Sequence, residues 1–205
     1  MEKSNPRIRL ARENPSKGPF LKFVSNAGKW ADNRFPFIRL ALLLFFLYIL
    51  LRHQNDWYYN SIFKGFNLGI HELGHFILKP FGQFIYIAGG TIAQCSAPLI
   101  AIFIFYKQSD YFGIAVCFGW LATNLYDVAT YVHDARLREL PLVSPFGMEA
   151  QHDWAYLLGR LGLLEHDQFI AIKIRLLALI SMIICLCFGG WLVYRMIKTI
   201  RIGNY

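Results

Sequence analysis

His71, Glu72 and His75, in the run His71-Glu72-Leu73-Gly74-His75, are the residues whose types and spacing point most directly to chemistry. Two histidines four residues apart share one face of a helix, so both imidazoles can reach one metal ion. The glutamate beside the first histidine is placed to take a proton from a metal-bound water. Phe76-Ile77-Leu78 follows, and the surrounding segments are strongly apolar. Three ionisable side chains in such surroundings are costly, which is a reason to expect that they act.

A catalytic zinc site takes three protein ligands and leaves one position open, so a third ligand is expected from outside the motif. Asp127 is the first candidate, because a carboxylate inside an apolar helix needs a partner. Asn124, Asp127, Tyr131 and Asp134 recur every three or four residues and form one polar stripe. Facing the bundle interior, that stripe supplies either a ligand with supporting donors (Asn124, Tyr131) or a hydrogen-bonded seam between helices. His152, in Gln151-His152-Asp153-Trp154, is the alternative third ligand or a transition-state stabiliser, with Asp153 orienting a histidine from behind. The same residues also read as a helix start, with Asp153 capping an amphipathic helix over Trp154–Leu164. Gly89-Gly90 allows close backbone approach, either by a substrate peptide near the metal or by a neighbouring helix. Asp134 is expected to pair with Arg136 or Arg138, and Glu149, Glu165 and His166 are weaker ligand candidates.

The elements that must position these groups read as membrane helices. Of 205 residues, 56% are hydrophobic and 17% charged, and mean hydropathy is +0.36, outside the range of ordinary soluble domains. The net charge of +8 does not imply nucleic acid, because nine of the 21 basic residues precede or enter the first apolar run, within residues 1–39. That placement fits a cytoplasmic flank under the positive-inside rule. Residues 1–34 read as a basic cytoplasmic arm with a short interfacial helix around Phe20–Trp30, and residues 35–205 as one membrane-embedded domain. Spanning helices are expected over Phe35–Leu51, Ile85–Tyr106, Tyr111–Val132 and Ile170–Ile197. The motif helix, Ser61–Leu78, stops at Lys79-Pro80 and is only moderately apolar. If it does not span, both basic ends and Lys107 share one side, and the motif shares the other with the polar stretch His133–Gln168. The expected fold is therefore all-α, a polytopic helix bundle of about four spans plus a membrane-embedded HExxH helix. The four cysteines lack ligand spacing and read as small membrane-core residues.

HELGH at 71–75, Gly89-Gly90 soon after, and Asn124-x-x-Asp127 in a later membrane helix resemble the site-2 protease family of intramembrane zinc metalloproteases. The resemblance covers about Gly65–Asp134. It implies zinc held by His71, His75 and Asp127, with Glu72 as the base that activates water for peptide-bond hydrolysis. The implied partners are the lipid bilayer and a membrane-associated peptide or transmembrane substrate, in a multi-pass inner or plasma membrane protein. Two rivals use the same residues: a membrane zinc hydrolase acting on lipid amides or esters, and a non-catalytic metal-binding assembly protein. The presence of Glu72 argues against the latter, since a structural site needs no base.

Overall fold

The computed structural model describes residues 18–141 and 152–202. Among them the chain is helical without strands, in the order α1 (Pro19–Ala31), α2 (Phe37–Asn55), α3 (Lys64–Leu78), α4 (Gln83–Lys107), α5 (Tyr111–His133), α6 (Asp153–Leu161) and α7 (Asp167–Ile202). Four helical stretches are long and apolar enough to cross a membrane: Phe37–Asn55, Gln83–Lys107, Tyr111–His133 and Leu164–Ile200. In a bilayer only structures that satisfy their own backbone are viable, which these sequences do as helices. Short helix α1 falls where a helix was expected in the arm, with Phe20 and Leu21 exposed. The remainder of the arm before Gly18 lies outside the described residues.

α5 is the central span: 61% of its apolar stretch is buried, against 22% for α2. Its Asp110 caps the N-terminus by accepting from the Gly113 N–H at 3.0 Å. Two apolar clusters sit along it. The larger joins α1, α2, α5 and α7 through Phe46, Ile49, Tyr126, Met182, Leu192 and Met196. The smaller lies towards the other end, where Ala155 and Leu158 of α6 meet Val128, Val132, Ala135 and Ala171.

α3 does not cross. Its first turn lies at mid-depth, where Phe63 stacks on Phe46 with centroids 5.9 Å apart and Phe66 lies 5.5 Å from Trp120. Its last turn lies beside the start of α4, where His75 meets the Tyr86 carbonyl. The chain therefore dips in after α2 and returns along α3 to the same end. That end also carries the close of α5, all of α6 and the start of α7. The opposite end gathers α1, Lys107 and the last turns of α7, tied by Arg195 to Asp32 at 2.9 Å and by the Asn33 N–H to Thr199 Oγ1 at 3.2 Å.

Candidate metal centre

Gly74, Gly89 and Gly90 set how closely α3 and α4 approach. A Cβ on Gly89 would fall 2.7 Å from the Gly74 carbonyl oxygen, and one on Gly90 would run into the His71 imidazole. Helix contact this close needs small residues. All three glycines are buried. Gly89 and Gly90 thus serve helix packing, and the expected place for a substrate backbone at them is filled by α3.

The close contact brings α4 groups onto the motif histidines. His71 Nδ1 lies 2.7 Å from Gln94 Oε1, and His75 Nδ1 lies 2.8 Å from the Tyr86 carbonyl oxygen. A carbonyl only accepts, so each Nδ1 donates. The Gln94 amide nitrogen donates to the Asn124 carbonyl at 3.4 Å, which turns the amide oxygen towards His71. Both Nε2 atoms then face one carboxylate oxygen, Asp153 Oδ2, at 2.9 Å from His71 and 3.2 Å from His75. The ligand atoms of these three residues all lie within 4.8 Å of one another.

The donor set suits a divalent cation. Zinc bonds of about 2.0–2.1 Å in a tetrahedron put neighbouring donors about 3.3 Å apart, close to the spacing found here. With Nδ1 protonated, the Nε2 lone pairs are free for a metal, and hydrogen bonds from the rings to a carbonyl and an amide are the usual outer support. Asp153 faces both rings: burial alone would raise its carboxyl, but a proton on the Nε2 atoms, in the place a cation would take, outweighs burial and holds it below the usual carboxylate range.

The third member is therefore Asp153, which the sequence offered as outer support or as a helix cap. Asp127, the first candidate, sits one turn away: its Oδ2 accepts from Asn67 Nδ2 at 2.8 Å. Asn67 precedes His71 by four residues and also accepts from Trp120 Nε1 at 2.9 Å. The expected burden of an intramembrane carboxylate is thus met by an amide of the motif helix. His152, the alternative, uses both ring nitrogens: Nδ1 accepts from the Ala155 N–H at 3.2 Å, and Nε2 faces Asp134 Oδ2 at 3.2 Å. It is the cap of α6, a role expected of Asp153. Burial lowers its pKa despite the Asp134 carboxylate beside it.

The polar stripe on α5 is real and works as a seam. Asn124 offers its carbonyl to Gln94, Asp127 holds Asn67, and the Tyr131 hydroxyl accepts the Asp153 N–H at 3.1 Å. Asp134 accepts from His152 and from the N–H groups of Glu139 and Leu140 rather than pairing with an arginine. Arg136 instead bridges Asp167 at 2.8 Å and Glu165 at 3.1 Å. Glu72 is half-buried on α3 beside His71, and its charge reaches His75. Gln151 and Glu149 lie outside the described residues. Cys95, Cys117, Cys185 and Cys187 are free, and none joins the centre.

Comparison with family models, with curated proteins and with solved structures finds no match. The chemistry of the centre rests on its own geometry. Two contributors carried weak signals in sequence. Gln94 is an amide inside a strongly apolar stretch, and Asn67 falls on the histidine face of the motif helix.

Proposed function

We propose that this chain is a membrane-embedded zinc metallopeptidase that hydrolyses peptide bonds of membrane-associated or transmembrane substrates. The observation that carries the reading is the convergence of His71 Nε2, His75 Nε2 and Asp153 Oδ2, with Glu72 next to the first ligand. The resemblance to the site-2 protease family supports it through HELGH, with Asp153 taking the place implied for Asp127. By the positive-inside rule, the end bearing α1, Lys107 and Arg195 faces the cytoplasm, and the centre lies towards the opposite side.

A zinc ion held by His71, His75 and Asp153 would supply a Lewis acid for water and for a substrate carbonyl. Glu72, beside the first of these residues, would accept the proton of an attacking water and return it to the departing amide nitrogen. Tyr131 accepts from Asp153 with its oxygen and so keeps its own proton to donate to the carbonyl oxygen as charge grows there. Gln94 and the Tyr86 carbonyl keep both imidazoles in the tautomer that presents Nε2. Exposed Leu73, Phe76 and Ile77 on α3 border the centre with apolar surface, which suits a substrate arriving from lipid.

The test compares wild type, Glu72→Gln and His71→Ala expressed in a host membrane. Metal content is measured on purified protein, and new peptide termini in membrane proteins are mapped by mass spectrometry. Glu72→Gln is expected to keep the metal and lose the termini, and His71→Ala to lose both. Equal termini from Glu72→Gln and wild type would overturn the hydrolase reading.

A further inference from the structure

Asp153 reaches the histidines from a nine-residue helix, and a second buried acid–imidazole pair lies directly behind it. Asp134 closes α5 and is only 2% exposed. Its carboxylate accepts from the N–H groups of Glu139 at 2.9 Å and Leu140 at 3.1 Å, and faces His152 Nε2 at 3.2 Å. Because His152 Nδ1 accepts from Ala155, its Nε2 carries the proton and donates to Asp134. Both ends of the connector, at 139–140 and at 152, thus hang on one carboxylate. The next residue is Asp153, with its N–H on the Tyr131 hydroxyl.

We propose that Asp134 and His152 are positioning residues of the metal centre: by holding each other they fix the start of α6 and set Asp153 Oδ2 between the two Nε2 atoms. The inference rests on the metal-centre reading above. Apolar packing alone is a poor candidate for this task. Ala155 and Leu158 anchor α6 in a small apolar cluster, which sets its depth but resists rotation weakly. A rotation that moved Asp153 by about 1 Å would spoil the ligand geometry. The directional bonds at Asp134 and His152 oppose that rotation. A buried hydrogen-bonded pair adds little net stability compared with apolar groups of the same shape, so its worth here lies in orientation.

The test uses the purified full chain with cobalt(II), whose d–d absorption reports ligand geometry independently of turnover. Wild type is expected to bind one cobalt per chain and His71→Ala none. Asp134→Asn and His152→Asn are expected to bind about 10- to 100-fold more weakly, with an altered d–d band. His152→Asn keeps a capping side chain for α6, so its loss would not reflect an uncapped helix. The double variant is expected to be no worse than the weaker single, because the pair acts as a unit. Met182→Ala, in the other apolar cluster, serves as a control that lowers stability with the wild-type spectrum intact. Wild-type affinity and spectrum in both single variants, or the same change in Met182→Ala, would overturn the proposal. A wild-type chain that binds no cobalt would instead remove the metal reading, and this inference with it.

Discussion

His75 Nδ1 lies 2.8 Å from the backbone carbonyl of Tyr86, a group that can only accept, so this contact puts a proton on Nδ1 and turns Nε2 towards Asp153. One backbone atom of α4 thereby fixes the chemistry of a side chain on α3.

Asp153 and Asp127 separate the assigned ligand from the carboxylate that sequence spacing favoured. Asp153→Ala is expected to lose bound zinc in elemental analysis of purified protein. Asp127→Ala is expected to keep it and to cost about 1–3 kcal/mol of stability, because Asn67 loses its acceptor in a buried place. Retention by Asp153→Ala with loss in Asp127→Ala would reverse the assignment.

Gln94 acts through His71, so its substitutions divide by what they can accept. Gln94→Leu removes the acceptor at Nδ1 and is expected to weaken zinc binding about 10- to 100-fold in a chelator competition. Gln94→Glu keeps an acceptor oxygen and is expected to restore most of it. Equal affinities for both variants would mean that the 2.7 Å contact has no part in metal binding.

Gly90→Ala places a methyl group against the His71 ring. The helices must part or the ring must turn, at about 1–3 kcal/mol of overpacking. Thermal unfolding is expected to shift down, and metal affinity to fall with it. A Gly90→Ala protein with unchanged metal affinity would show that the ring has room to move without losing its geometry.

Acid should release the metal through the histidines. A metal takes an imidazole only as the neutral ring, and imidazoles ordinarily protonate near about 6.5. Protons compete with metal for both rings, so below that range affinity is expected to fall about 100-fold per pH unit, two protons per ion. A titration of zinc affinity against pH checks the slope. Constant affinity down to about pH 4.5 would contradict ligation by two histidines.

Much of this was legible in the chain. HELGH marked both histidines through a spacing that any helix converts into one face. The four spans followed from length and apolar content, and the motif helix, expected to be embedded without spanning, is too short to stand among them. The third member of the cluster was not legible, because the cost of a buried carboxylate says that it needs a partner and not which one. Asp127 found Asn67, four residues before His71. Asp153 lies beyond a polar connector, and only the packing of α6 against α4 and α5 carries it back to the motif. His152 drew attention for the right neighbourhood, but its two ring nitrogens serve the cap and Asp134. Gly89-Gly90 read first as a helix contact and second as a docking place, and the backbone of Gly74 fits the first.

The central claim is that His71, His75 and Asp153 bind one metal ion. The most direct test is an experimental structure of zinc-loaded protein, with data collected above and below the zinc absorption edge. The account predicts one anomalous peak about 2.0–2.2 Å from His71 Nε2, His75 Nε2 and an Asp153 oxygen, with Glu72 facing the open position. A peak bound by Asp127 or His152 in place of Asp153, or no zinc between the two histidines, would contradict it.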